Sequence, residues 1–182
     1  MKTANIMAQD AAILCDHGLQ AYMAQDYQTA IPYYQASVQL GSSAAMCNLG
    51  YCYYYGRGVK RDKELARYYW ETSAVLGEAA STYKLGDMYR NGDIEANESV
   101  AWLYYCRAWQ LSQNEKDILN YPNICLRLAR YGAGRLTVGQ RAFFAAEAVH
   151  WFEERIQMGD VYSDESLAQA KRQYEELTPA VL

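Results

Sequence analysis

The amino-acid sequence lacks long apolar runs, and it has few histidines and no paired-cysteine motif. None of its apolar stretches approaches the roughly 18 residues that a membrane-spanning helix needs. Its five cysteines are odd in number and none falls in a Cys-x-x-Cys spacing, so we expect reduced, buried thiols and no disulfide framework. The first residues carry a single lysine and only a short apolar run, which predicts no secretory signal and a cytoplasmic location.

An excess of positive charge is also missing. The 182 residues carry a formal net charge of -4, and this argues against nucleic acid, because phosphate binding needs clustered lysine and arginine. With 51% hydrophobic and 21% charged residues, the chain is predicted to be a soluble globular protein. Residues 118–146 contain no acid but hold four arginines, which are candidates for a secondary basic face: Arg127, Arg130, Arg135 and Arg141. Pairing with acids of neighbouring helices is the ordinary interpretation, and an anion-binding face is the alternative.

What the sequence does contain is an internal repeat. A pattern of small, aromatic, aromatic, small and small residues occupies offsets 0, 3, 4, 7 and 11 after Ala30, Ala66 and Ala101. A fourth copy starts at Ala148 and is degenerate, because Arg155 replaces one small residue. The offsets follow one face of a helix, and the spacings of 36 and 35 residues match a helix-turn-helix unit that stacks on its neighbours.

Glycine recurs at a fixed position of the repeat as well. Gly50 and Gly86 each follow a leucine in the middle of a predicted helix, where glycine costs about 1 kcal/mol relative to alanine. Its recurrence predicts that the second helix of each unit approaches closely, with the small residue Ala66 or Ala101 lying against the glycine. We therefore expect the two helices of each unit to be in tight contact at this position.

Further residues predict where the helices begin and end. Gly56 and Gly92 stand where a left-handed residue ends the first helix of a unit, and Asp62 or Asn97 is the predicted N-cap of the second. Pro32 is predicted to lie within the first turn of its helix, where its missing N–H costs nothing. These signals together predict short loops between paired helices.

The segment AAMCNLGYCYYYGRGVKRDKELARYYWETSAVLG resembles a Sel-1-like repeat, the longer-looped relative of the tetratricopeptide repeat. It has the Leu-Gly-x-x-Tyr, Gly-x-Gly-Val-x-x-Asp, Ala-aromatic and terminal Gly positions. The next unit is similar but lacks one loop residue and the second loop glycine, and GLQAYMAQDYQTAIPYYQASVQLG resembles the tetratricopeptide form. The resemblance implies an all-α protein, an α-α superhelix or right-handed solenoid of helix pairs, that binds other proteins as an adaptor and has no catalytic residues.

We predict a single solenoid domain over residues 1–182. It comprises a tetratricopeptide-like pair at 1–41, Sel-1-like repeats at 42–77 and 78–112, a degenerate pair at 113–159 and a capping helix at 160–182. Thr137 and Gln140 predict a capping box that opens a long helix. The capping helix has a predicted apolar stripe on one face and charged residues on the other. The stripe is Leu167, Ala170, Tyr174 and Leu177.

The resemblance also implies that the first helix of each unit lines a concave surface. Residues about 100° round the helix from the predicted core positions give a tyrosine-lined, partner-binding face. Its members are Leu19, Tyr22, Cys47, Tyr51, Tyr54, Tyr83, Asp87 and Arg90. Tyrosine suits such a face because it offers a large apolar ring, a hydroxyl and few torsions to immobilise. A structural role stays open for any of them, and five others are assigned to the core: Tyr53, Tyr69, Tyr89, Tyr104 and Tyr105.

The preferred function is therefore a non-catalytic adaptor that holds a protein or peptide in this groove. A structural or self-assembling solenoid with no groove ligand is the alternative, and an anion-binding or metal-dependent enzyme is a distant one. Glu147, His150 and Glu154 share a helix face, but nothing in the sequence completes a metal site with them. We expect no cofactor, no metal, and neither nucleic acid nor membrane as partner; the sequence leaves the oligomeric state open.

Overall fold

The computed structural model describes residues 2–113, 120–160 and 163–179. Over these ranges the protein consists of nine α-helices and has no strand. By its internal contacts the chain divides into two compact units, Met1–Leu85 and Gly86–Leu182. The helices are α1 (Lys2–Met23), α2 (Tyr27–Gln39), α3 (Ser43–Tyr55), α4 (Lys63–Val75), α5 (Ala79–Asn91), α6 (Glu98–Ser112), α7 (Tyr121–Tyr131), α8 (Val138–Gln157) and α9 (Asp164–Leu177).

The helices begin and end at residues whose chemistry explains the boundary. Asp62 accepts a hydrogen bond from the Leu65 N–H and Asn97 from the Ser99 and Val100 N–H groups, so both predicted N-caps are confirmed. Gly56 and Gly92 have φ of +72° and +73°, the left-handed conformation predicted for them. The capping box at the start of α8 is also present.

The prediction for Pro32 was wrong. Helix α2 begins at Tyr27, which places Pro32 in the second turn. The earlier start follows from Asp26, whose carboxylate accepts a hydrogen bond from the Thr29 N–H at 3.2 Å. Pro32 is exposed, and the helix continues through it to Gln39 despite the missing N–H.

In the first unit, α1 packs on α2, α2 on α3 and α3 on α4. The sequence predicted Ala66 against Gly50, but the structure places an aromatic ring there. The indole of Trp70 lies over Gly50, and the ring of Tyr34 lies over Gly18. Both rings are buried, since each glycine leaves a flat slot that an aromatic ring fills better than a methyl group would.

The second unit repeats this contact and then closes with three helices in mutual contact. The ring of Tyr105 lies over Gly86, and α7, α8 and α9 pack on one another. Ala170 and Leu177 of α9 are buried. Tyr174 is 41% exposed, so the predicted apolar stripe of α9 is wrong at this position, where the side chain contributes to the surface. The charged residues predicted for the outer face of α9 are all exposed: Asp164, Glu165, Lys171, Arg172, Glu175 and Glu176.

Four of the five tyrosines assigned to the core form stacked pairs. Tyr53 stacks on Tyr69 and Tyr89 on Tyr104, each with ring centres 5.6 Å apart. These four rings are half-buried, whereas Tyr105 is fully buried. The tyrosines of the repeat therefore fix helix pairs at the edge of the core as well as inside it.

Candidate functional site

Three tyrosines at the end of α3 form an aromatic surface, which we call the tyrosine face: Tyr51, Tyr54 and Tyr55. The ring centres of Tyr54 and Tyr55 are 4.9 Å apart, and those of Tyr51 and Tyr55 are 6.3 Å apart. Tyr55 is 50% exposed and the other two are half-buried. The face therefore combines ring–ring contacts within the protein with surface that is open to another molecule.

The tyrosine face is held from behind by Trp70 of α4. The indole contacts the rings of Tyr51 and Tyr54, with ring centres 5.6 and 5.3 Å away. Trp70 is itself buried, and its Nε1 donates a hydrogen bond to the Cys47 carbonyl oxygen at 3.1 Å. Because the indole is buried and hydrogen-bonded, the two tyrosine rings have a rigid support.

Cationic side chains surround the tyrosine face. The Lys84 Nζ lies 4.9 Å from the centre of the Tyr51 ring, and the Arg57 guanidinium lies 5.0 Å from that of Tyr55. Around Tyr54, the Lys63 Nζ is at 5.5 Å and the Arg61 guanidinium at 6.0 Å. These distances are in the range of cation–π attraction, so the aromatic surface carries a positive rim.

The other residues predicted for this face in the first unit differ in accessibility. Leu19 is 40% exposed and Tyr22 is half-buried, with its hydroxyl bonded to the Arg57 guanidinium. Cys47 and Tyr83 are only 4% and 3% exposed, although the Tyr83 hydroxyl reaches that of Tyr51 at 3.0 Å. Cys47 and Tyr83 therefore offer almost no surface to a partner and instead support residues that do.

In the second unit, Asp87 is engaged in an ion pair. Its carboxylate accepts two hydrogen bonds from the Arg127 guanidinium, at 2.7 and 2.6 Å, and a third from the Tyr105 hydroxyl at 3.0 Å. Burial raises the pKa of Tyr105, and the negative charge of Asp87 raises it further, so the hydroxyl keeps its proton and donates. Asp87 and Arg127 thus neutralise each other, as in the ordinary interpretation of the arginine-rich segment.

The remaining arginines of that segment differ in their contacts. Arg141 donates a hydrogen bond from Nε to the Ala129 carbonyl oxygen at 2.7 Å. Arg130 lines a depression together with Arg172 of α9, whereas Arg135 lines a separate pocket together with Arg90. Arg130 and Arg135 are both exposed. Arg130 also lies 5.5 Å from the centre of the Tyr131 ring, and Tyr131 lines the Arg135 pocket as well, so the two exposed arginines have one neighbour in common.

Sequence reasoning missed several members of the site. Tyr55 was left out, although its spacing of four residues from Tyr51 places both side chains on one helix face, where the two rings stack. Lys84 belongs to a different helix, and its approach to Tyr51 depends on tertiary packing. The sequence signal for this contact is that Lys84 directly follows Tyr83, one of the residues predicted for the partner-binding face.

The structure also shows whether the described part of the chain holds a metal site or a helix that could cross a membrane. Within residues 2–113, 120–160 and 163–179, no group of His, Cys, Asp and Glu is arranged to hold a metal ion. Glu147, one of the three residues considered for such a site, instead accepts a hydrogen bond from the Tyr121 hydroxyl at 3.0 Å. Among the helices of the same residues, none combines the length and apolar content that crossing a membrane requires.

Tandem helix pairs with a glycine–aromatic contact in each repeat define an α-helical repeat protein, and comparison with known families agrees. The model of the Sel1 repeat matches residues 7–42, 43–77 and 79–111. The chain belongs to the Sel1 repeat family, and its fold is an α-α superhelix. Sel1-repeat proteins are generally protein-interaction modules.

A solved structure supports the same fold. A Sel1 repeat protein from Oxalobacter formigenes matches with a TM-score of 0.54 and 16% identity, over 92% of this chain and 87% of the other. A second match is c5321, a protective antigen of uropathogenic Escherichia coli with an SLR fold, at a TM-score of 0.49 and 18% identity, over 90% of this chain and 44% of that one. No curated protein matches the sequence significantly.

Proposed function

We propose that this protein is a non-catalytic adaptor that binds a protein or peptide partner on the tyrosine face. The observation that carries the proposal is the support of Tyr51 and Tyr54 by the buried ring of Trp70, next to the exposed ring of Tyr55. Family membership favours the same class of function, because Sel1 repeats generally mediate protein–protein interaction.

A rigid aromatic surface is suited to binding for an energetic reason. Rings that are already fixed lose little conformational entropy when a partner covers them, so more of the contact energy appears as affinity. Tyrosine is also one of the residues that most often dominate the binding energy of an interface. The tyrosine face therefore has the properties expected of the centre of an interface.

The positive charges around the tyrosine face favour a partner with acidic residues. Arg57 contacts the rings of both Tyr22 and Tyr55, so it joins Tyr22 to the tyrosine face. Lys84 and Lys63 extend the positive charge along the other side. Charge complementarity favours a partner segment that carries acidic residues beside apolar ones. Leu19 and Tyr22 are proposed as outer members of the same surface.

Affinity capture with matched variants tests the proposal. The wild-type chain and the variants Tyr51→Ala, Tyr54→Ala and Tyr68→Ala are immobilised, and proteins captured from the native lysate are quantified by mass spectrometry. Tyr68 is the control, because it is a tyrosine of the same unit that is 60% exposed on α4. We expect a partner that is retained by wild type and Tyr68→Ala and depleted on the other two variants.

Circular dichroism must show that all four chains are folded for this comparison to hold. Equal capture by all of them would overturn the tyrosine face as the binding surface. Capture of the chain itself by its own immobilised copy, with the same dependence on Tyr51, would instead support the self-assembling alternative.

We also propose a cytoplasmic location. Its support is that all five cysteines are free, which is the usual state of thiols in a reducing compartment. Fractionation of source cells with detection by a specific antibody tests this proposal, and recovery of the protein outside the cytoplasmic fraction would contradict it.

A further inference from the structure

A small pocket in the second unit brings together two arginines and two aromatic rings. Arg90 of α5 lies 4.6 Å from the centre of the Tyr131 ring, and Arg135 lies 5.6 Å from the ring of Trp102. Both arginines line the same pocket of about 190 Å³, together with Trp102, Tyr131 and Glu98. The two guanidinium groups are thus held on aromatic faces on the walls of one pocket.

The charge of this pocket is positive. The carboxylate of Asp87, which stands three positions before Arg90 on α5, accepts two hydrogen bonds from Arg127. Glu98 lines the pocket and is exposed, which leaves one positive charge in excess when it is set against Arg90 and Arg135. A guanidinium stacked on a ring still has its in-plane N–H donors available, and these match the geometry of a carboxylate.

An apolar cleft adjoins the pocket. Trp102 lines both, and the cleft has a volume of about 550 Å³ between α6, α7 and α8. Phe143, which lines the cleft, is 55% exposed, an unusual amount for so large an apolar side chain. Most of the other lining residues are apolar, among them Cys106, Trp109, Leu128, Leu136 and Phe144.

We propose that this pocket and cleft together form a second binding site, which takes a peptide segment of a partner protein with an acidic residue close to a large apolar residue. The acidic side chain binds Arg90 and Arg135, and the apolar side chain enters the cleft beside Phe143. Charge complementarity selects the acid, and the removal of exposed Phe143 and Trp102 surface from water drives the apolar contact. The site lies within Gly86–Leu182 and is independent of the tyrosine face.

Peptide display on the full chain provides the first test. Random short peptides are selected on the wild-type protein, and we expect the selected sequences to combine Asp or Glu with Leu, Phe or Trp a few positions away. Fluorescence polarisation then gives the affinity of one selected peptide and of its amide variant, in which the acid becomes Gln or Asn. The amide variant should bind about tenfold more weakly to the wild-type chain, which corresponds to about 1.4 kcal/mol.

A double-mutant cycle tests whether the weaker binding of the amide peptide results from its lost contact with the arginines. Arg90→Gln and Arg135→Gln should each weaken the binding of the acidic peptide by about tenfold and leave the binding of the amide peptide nearly unchanged. Arg107→Gln is the matched control, because Arg107 is an exposed arginine of α6 that does not line the pocket. Glu98→Gln should strengthen the acidic peptide, because it removes the negative charge at the pocket.

A second pair of variants tests the cleft. Phe143→Ala should weaken the binding of both peptides. Leu103→Ala should weaken the binding of neither, since Leu103 is 66% exposed on α6 and does not line the cleft. Bound peptide should also slow the labelling of Cys106, a half-buried thiol of the cleft, in the wild-type protein. Because Phe143 and Leu103 are both exposed, neither substitution removes a core side chain.

Four outcomes would overturn the proposal. The first is a failure to select any peptide, and the second is a selected set of peptides without acidic residues. The third is equal binding of the acidic peptide by wild type and all arginine variants. The fourth is binding of decanoate, a simple fatty acid, with a dependence on Arg135 while no peptide binds; the site would then be one for free carboxylic acids and not for a partner protein.

Discussion

The indole ring of Trp70 occupies the space in which a side chain at residue 50 would lie. A Cβ atom on Gly50 would overlap the indole, and one on Gly86 would stand 2.7 Å from the Tyr105 ring. Gly18 has the same relationship with Tyr34, also at 2.7 Å. Each of the three repeats therefore uses a glycine to bring a buried aromatic ring against the backbone of the partner helix.

We predict that Gly50→Ala destabilises the protein although alanine is the better helix former. The added methyl group overlaps the buried Trp70 ring, and overpacking of this kind costs about 1–3 kcal/mol of unfolding free energy. The cost should exceed the gain in helix propensity of about 1 kcal/mol. Urea denaturation followed by circular dichroism measures the change.

Gly139→Ala is the matched control for this prediction. Gly139 lies in α8, and a Cβ added there would meet no atom within 4 Å. Its replacement should therefore leave stability unchanged or raise it by up to about 1 kcal/mol. A shift of the urea midpoint in the same direction and by a similar amount in Gly50→Ala and Gly139→Ala would contradict the overlap between a residue-50 side chain and the Trp70 ring.

The features that the sequence predicted correctly are the local ones. Asp62 and Asn97 cap helices as expected, because a cap depends only on the few residues that follow it. The repeat pattern likewise predicted the buried position of Tyr105, since the helical period fixes which residues share a face. Local chemistry and periodicity were thus sufficient for the family and the class of fold.

The binding surfaces depend on contacts that periodicity does not encode. Lys84 of α5 lies on the ring of Tyr51 of α3, a contact between two helices that the period of a single helix cannot predict. Arg90 and Arg135 are 45 positions apart by their numbers, yet they line one pocket. Burial of Tyr83 was missed for a similar reason: helix period gives the side of a helix, but neighbouring helices decide how much of that side is covered.

Tyr34→Phe should stabilise the protein or leave its stability unchanged. Tyr34 is fully buried, and its hydroxyl has no hydrogen-bond partner among the described residues. Such a group carries a desolvation cost of about 1–3 kcal/mol, which the variant removes without changing the shape of the ring. Thermal melting at neutral pH checks the expected rise.

The equivalent variant of the third repeat, Tyr105→Phe, should behave in the opposite way. The Tyr105 hydroxyl donates a hydrogen bond to the Asp87 carboxylate at 3.0 Å, and a hydrogen bond to a charged group contributes about 1.5–3 kcal/mol. Loss of stability in both variants would show that the Tyr34 hydroxyl has a partner after all.

The five cysteines should all react with a thiol reagent in denaturant without prior reduction, because all are free. In the native protein a single fast phase is expected from Cys106, the half-buried thiol, since Cys15, Cys47, Cys52 and Cys125 are buried. Spectrophotometric titration counts the thiols, and Cys106→Ser should abolish the fast phase. A count below five in denaturant would mean that a disulfide forms.

Alkaline pH should destabilise the fold in a range set by the two most shifted thiols. Burial raises the pKa of Cys125 from 9.0 to about 12 and that of Cys52 from 9.0 to about 11. Between about pH 9 and these raised pKa values the unfolded chain has lost thiol protons that the folded chain still holds, so stability falls as pH rises. The urea midpoint should therefore be constant below about pH 8 and should decline steadily above about pH 9. Replacing Cys52 and Cys125 by alanine lowers stability at neutral pH but should flatten the decline between about pH 9 and about pH 10, before the buried tyrosines with raised pKa values begin to contribute. An unchanged slope of the double variant in this range would contradict the assignment to these thiols.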